Sequence, residues 1–159
     1  MRRRWAWRGV LALPLTLALA AMPTLAVEIS AEHDLVVRYT IDKPFDDVIF
    51  ALNFAITDRN FRITGRNSIG SGLRERGYTD FPDVEVIHFC SLELAREVLL
   101  LDPGFVAHMP CRVTVHEEQG KTVVSLIKLP TDSHDPRVND FAKRMNVTLT
   151  EIVEFAVGL

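Results

Sequence analysis

The chain has 159 residues, 48% of them hydrophobic and 25% charged, with only two cysteines. These proportions describe one globular domain and exclude collagen-like, disulfide-dense and wholly disordered chains. The formal charge of −3 hides an asymmetry: the first 26 residues hold four arginines and no acid, which leaves 14 basic and 21 acidic residues beyond them, a balance of −7. An acidic domain repels phosphate backbones, so nucleic acid is not an expected partner.

In chain order, the first element reads as an export signal. Arg2, Arg3, Arg4 and Arg8 lead into an apolar run from Val10 to Met22, which has the length of a signal-peptide core and is too short to span a bilayer. Small residues around Thr24-Leu25-Ala26 predict cleavage after Ala26 and a mature domain over residues 27–159. The expected location is the periplasm, with no stable membrane span after cleavage, and there disulfides are permitted.

Leu35 to Ile41 is β-branched and aromatic and reads as a strand. Asp42 and Pro44 open a helix in which Phe45, Val48, Ile49, Leu52 and Ile56 recur at helical spacing. Phe50 and Phe54 fall off that stripe, a second apolar flank that one sheet cannot cover, and a homodimer is the expected remedy. Phe61 to Ser68 reads as a second strand, followed by a break at Gly70-Ser71-Gly72 and a loop through Gly77. Val84 to Cys90 is a third strand with His88 and Cys90 on one side. Ser91 caps a helix that Asp102-Pro103-Gly104 stops. Cys111 to Glu117 and Lys121 to Lys128 form a hairpin through Glu118-Gln119-Gly120. Asp135 and Pro136 open a long final helix with a steady apolar stripe from Val138 to Ala156. The order β-α-β-β-α-β-β-α predicts an α+β domain, a mainly antiparallel sheet with helices on one face.

The middle of the chain runs from a strand ending in Cys90, through a helix and Asp102-Pro103, to Met109-Pro110-Cys111-Arg112-Val113 and a hairpin. This stretch resembles the bacterial family called domain of unknown function 302, which shows Cys-Asn-Pro at the first cysteine and Leu-Pro-Cys at the second. Cys90-Ser91-Leu92 keeps only the cysteine of the first motif, while Met109-Pro110-Cys111 matches the second well. The resemblance implies a small, often dimeric α+β fold similar to the TATA-binding-protein-like arrangement; it implies no activity.

Cys90 stands just before a helix, where free backbone N–H groups favour a thiolate, and Cys111 begins the next strand. Three roles are open to the pair. A Cys90–Cys111 disulfide would close roughly 20 residues and contribute about 3 kcal/mol. A redox pair would use Cys90 as attacking thiol and Cys111 as resolving thiol, with Arg112 stabilising negative charge. Alternatively, the cysteines are unpaired and buried or ligating. His88, Cys90, His108, Met109 and Cys111 are a set of soft ligands suited to copper or haem iron, with His116 further along the hairpin, but no Cys-x-x-Cys-His or His-Glu-x-x-His motif accompanies them.

A second candidate is the segment 59–76. Arg59, Arg62, Arg66, Arg74 and Arg76 outnumber Glu75 beside Gly70-Ser71-Gly72, so exposed glycine N–H groups and arginines there would suit a small anion. A solvated charged face is the plainer alternative. Ser133-His134-Asp135 has the residue types of a hydrolase triad but reads as a helix cap. No hydrolase, kinase or nicotinamide motif is present. The expectation is therefore an exported module that binds a small ligand, metal or haem, with a thiol redox protein and an interaction scaffold as the alternatives.

Overall fold

The computed structural model describes residues 27–33 and 35–159; the expected export signal lies outside them. Six strands form one antiparallel sheet in the order β1-β2-β6-β5-β4-β3. In chain order the elements are β1 (Glu28–His33), β2 (Val36–Ile41), α1 (Phe45–Asp58), β3 (Arg62–Ser68), α2 (Ile69–Arg74), β4 (Val84–Cys90) and α3 (Leu92–Leu99). A 3-10 helix (Pro103–His108), β5 (Cys111–Glu118), β6 (Lys121–Ile127) and α4 (Pro136–Val157) complete the fold. The α+β expectation holds. No helix among the described residues is long and apolar enough to cross a membrane.

Alternation along the strands divides the sheet into two unlike faces. Tyr39 and Ile41 of β2, Val124 and Leu126 of β6, Val113 and Val115 of β5, and Ile87 and Phe89 of β4 are all buried in one core. Against them pack Val48, Leu52, Ala55 and Ile56 of α1 and the apolar stripe of α4, which includes Phe141, Met145, Leu149 and Ile152. The other face carries Arg38, His88, Arg112, Thr114 and His116, with Val123 buried beneath the longer side chains.

The long helix starts and stops where its ends dictate. Asp135 accepts a hydrogen bond from the Arg137 N–H at 2.9 Å, Pro136 takes the first turn, and Gly158 ends the helix in the left-handed region at φ 90°. Ser133 and Asp135 thus belong to a cap, as the sequence indicates. Ser91 occupies the cap position of α3, but its hydroxyl donates to Glu93 Oε2 at 3.1 Å instead of accepting an N–H.

Three elements differ from the sequence reading. β1 adds a strand ahead of the first one expected, pairing Glu28 with Thr40 and Ile29 with Tyr39. The 3-10 helix continues the chain past Asp102, whose carboxylate accepts from Gly104 N–H at 2.8 Å, because burying Phe105 holds the turn down. Gly70-Ser71-Gly72 is not a break but the centre of α2. A Cβ at Gly70 would lie 2.5 Å from the Pro82 carbonyl oxygen and 2.8 Å from Val84 N, so glycine lets the helix lie directly on the chain entering β4.

Candidate functional site

The site follows from how β4 ends and β5 begins. Phe89 faces Cys111 across the β4–β5 ladder, so Cys90 lies one residue beyond the last paired position. There the chain leaves the sheet for α3, and both cysteines line one pocket. Its walls are Phe61, Leu94 and Ala95, the 3-10 helix residues Phe105 and His108, Met109, Leu129, and Phe141 and Met145 of α4. The lining is almost entirely apolar, and the space of about 20 Å³ takes one methyl-sized group. Phe105 packs edge-on against both Phe141 and His108, fixing the wall on the helix side.

Both cysteines are free thiols. Cys90 Sγ donates to the Ser91 carbonyl at 3.6 Å. Burial pushes the Cys90 thiol up from its ordinary value, the reverse of what a helix N-terminus alone would do. Burial, and secondarily the neighbouring Cys90, push Cys111 up to about 11. Both thiols line the one pocket, and burial, the largest cause of both shifts, keeps them protonated at neutral pH.

A larger cleft of about 160 Å³ adjoins the pocket through shared residues His108, Met109, Cys111 and Leu129. His88 lines this cleft and not the pocket. It sits on the other face of the sheet, directly opposite Arg112, with its ring Nε2 3.4 Å from Asn67 Nδ2. The five soft-ligand residues are divided: Cys90 lines only the pocket, His88 only the cleft, and His108, Met109 and Cys111 line both. No group of three or more His, Cys, Asp or Glu among the described residues is placed to hold a metal ion.

The arginines of 59–76 are also dispersed. A register shift between Ile63 and Gly65 puts Arg66 opposite Ile87, on the helix-covered face, where it pairs with Glu85 and Asn53. Arg74 binds Asp83 at 2.6 Å and the Phe81 carbonyl at 2.7 Å, and Arg76 donates to the Gly72 carbonyl at 2.8 Å. Arg59 lies 3.7 Å from Glu151, while Arg62 sits opposite Cys90 at the sheet edge. Arg66 and Arg74 spend their charges on fixing β3 and α2, and the glycine N–H groups lie within a helix. Lys128, in the cleft, is the basic residue that sequence reading passed over. The signal for it was its place just past β6, level with the start of β5.

A six-stranded antiparallel sheet backed by two long helices, with a thiol-lined pocket at one end, defines a small α+β domain. Residues 37–156 match the model of the family described as domain of unknown function DUF302. The chain belongs to that family, as Met109-Pro110-Cys111 suggested. Its fold is similar to that in the "crystal structure of uncharacterized conserved protein DUF302 from Bacillus stearothermophilus", with a TM-score of 0.69 and 19% identity over 78% of this chain and 99% of that one. No curated protein matches the chain.

Proposed function

We propose that the chain is an exported binding module that holds a small ligand at the pocket between Cys90 and Cys111, and that it functions as a homodimer. The observation that carries this reading is the enclosure itself. Two thiols from separate strand ends, with aromatic and thioether walls from α4 and the 3-10 helix, meet in one apolar space beside a polar cleft. Such a junction of apolar walls and a few convergent polar groups is the usual form of a small-ligand site. The thiol-redox alternative is weaker on physical grounds. An attacking thiol needs thiolate at neutral pH, and burial moves both groups the other way. Among metals, a soft monovalent ion such as Cu(I) suits two thiols and a thioether better than a hard cation does.

The test is thermal denaturation of the full chain against small alcohols, organic acids and Cu(I), compared with Ala95→Leu, which fills the pocket from α3. A probe that raises Tm in the parent chain and not in A95L supports the reading. A panel that leaves Tm unmoved, or moves it equally in both proteins, overturns it.

A further inference from the structure

The cleft beside the thiol pocket gathers four basic side chains: His88 from β4, His108 from the 3-10 helix, Arg112 from β5 and Lys128 from the end of β6. Among the described residues no Asp or Glu lines it. That composition is unusual here, since acids outnumber bases by seven beyond residue 26. Arg38, Arg66, Arg74, Arg137 and Arg144 each sit against a carboxylate. Arg112 and Lys128 make no ion pair among the described residues. The positive charges of Arg112 and Lys128 share the cleft with no carboxylate among the described residues, and an anion from outside relieves their repulsion.

We infer that this cleft is the anion-binding half of the ligand site, and that the ligand is a small organic anion with one carboxylate and a short apolar end. The inference rests on the reading of the thiol pocket as a ligand site. The Arg112 guanidinium presents a planar fork of donors that matches a carboxylate, and Lys128 adds a second cationic donor. His88 and Arg112 are direct cross-strand partners, so both reach into the cleft from the same side of the sheet. The cleft is also half apolar, through Leu35, Ile127, Leu129 and the two prolines Pro110 and Pro130. Met109 and Cys111 line both spaces, so a ligand held by its carboxylate at Arg112 has its other end at the mouth of the pocket. The pocket's volume of about 20 Å³ limits that end to roughly a methyl group.

Propionate and 1-propanol share a hydrocarbon chain and differ in charge, which separates the two halves of the site. The experiment titrates each into the 15N-labelled full chain at constant ionic strength and follows amide shifts of Arg112 and Lys128 for the cleft, and of Ala95 and Leu94 for the pocket. Propionate should move both sets saturably with one affinity, while propanol moves the pocket set alone. Arg112→Gln, at an exposed position that leaves the core untouched, should weaken propionate at least tenfold and leave propanol unchanged. Propionate binding no tighter than propanol, or equally tight to R112Q, overturns the anion site while the pocket reading stands. Cleft shifts without pocket shifts overturn the joint site, and failure of propanol to move the pocket set counts against the reading beneath it. Sulfate matching propionate in affinity refutes the requirement for an apolar end.

Discussion

The reactivity of Cys111 tests the site directly. With its thiol pushed up to about 11 from an ordinary 9.0, the thiolate fraction at pH 8 falls from roughly a tenth to roughly a thousandth, a loss of about 100-fold in nucleophilic form. Alkylation of the reduced full chain with iodoacetamide, resolved by peptide mass spectrometry, should therefore proceed at Cys111 about 100-fold slower at pH 8 than in the urea-unfolded chain. The pH profile separates ionisation from access. Restricted access lowers the rate at every pH, whereas a raised pKa makes the rate climb about tenfold per pH unit toward pH 11. A native Cys111 whose rate levels off below pH 9 would refute the reasoning and restore the thiol-redox alternative. The same shift has a consequence for stability. Because the folded state holds the Cys111 proton more tightly than the unfolded state, its contribution is full below pH 9 and is lost as pH rises through about 11. The loss is on the order of 3 kcal/mol. Tyr39 is also raised, by burial and secondarily by Glu154, so the readout is the difference in urea stability between the parent chain and Cys111→Ala.

Two further outcomes follow from packing. Gly70→Ala should destabilise by about 1–2 kcal/mol, because its Cβ meets backbone atoms at 2.5 and 2.8 Å that no rotamer change can move, and this outweighs the helix propensity gained. Gly72→Ala, whose Cβ meets only the flexible Arg76 guanidinium at 3.5 Å, should stabilise by about 0.5–1 kcal/mol; urea midpoints in the opposite order would refute the packing account. Phe50 and Phe54 of α1 are 74% and 53% exposed, and Phe54 stacks on the half-exposed Phe155 of α4. Sedimentation should show a dimer that Phe54→Asp converts to monomer, and a parent chain that sediments as a monomer removes the dimer from the proposal.

The elements legible in the sequence were those with one strong period and a chemical boundary. α4 combines an apolar stripe with Asp135-Pro136 at one end and Gly158 at the other, and β4 and β5 alternate in burial. What escaped was set by tertiary context. β1 has a mixed, short sequence and is held by its pairing to β2. α2 carries two glycines that local propensity counts against a helix, and the reason for one of them is the Pro82–Val84 backbone pressed on it. The site was legible to a similar degree. Two cysteines near the ends of consecutive strands pointed to one place, but alternation alone would have put Cys90 beside His88. Cys90 instead lines the pocket because it is where the chain leaves the sheet for α3. The arginines misled for a related reason: a density of charge along the chain says nothing about which carboxylates the fold brings to meet it, as Glu85 and Asp83 do for Arg66 and Arg74.

Met109 and Cys111, the flanking residues of the motif that marked the family, line both the apolar pocket and the basic cleft. A substitution at either disturbs the two halves of the site together and cannot tell which half holds a ligand. Ala95 and Arg112 each line only one half, Ala95 the pocket and Arg112 the cleft. If pocket and cleft are one site, A95L and R112Q should each weaken a ligand that spans both, and the double variant should lose less than the sum of the single losses, because the groups contact one molecule. If they are separate sites, the two losses appear on different ligands.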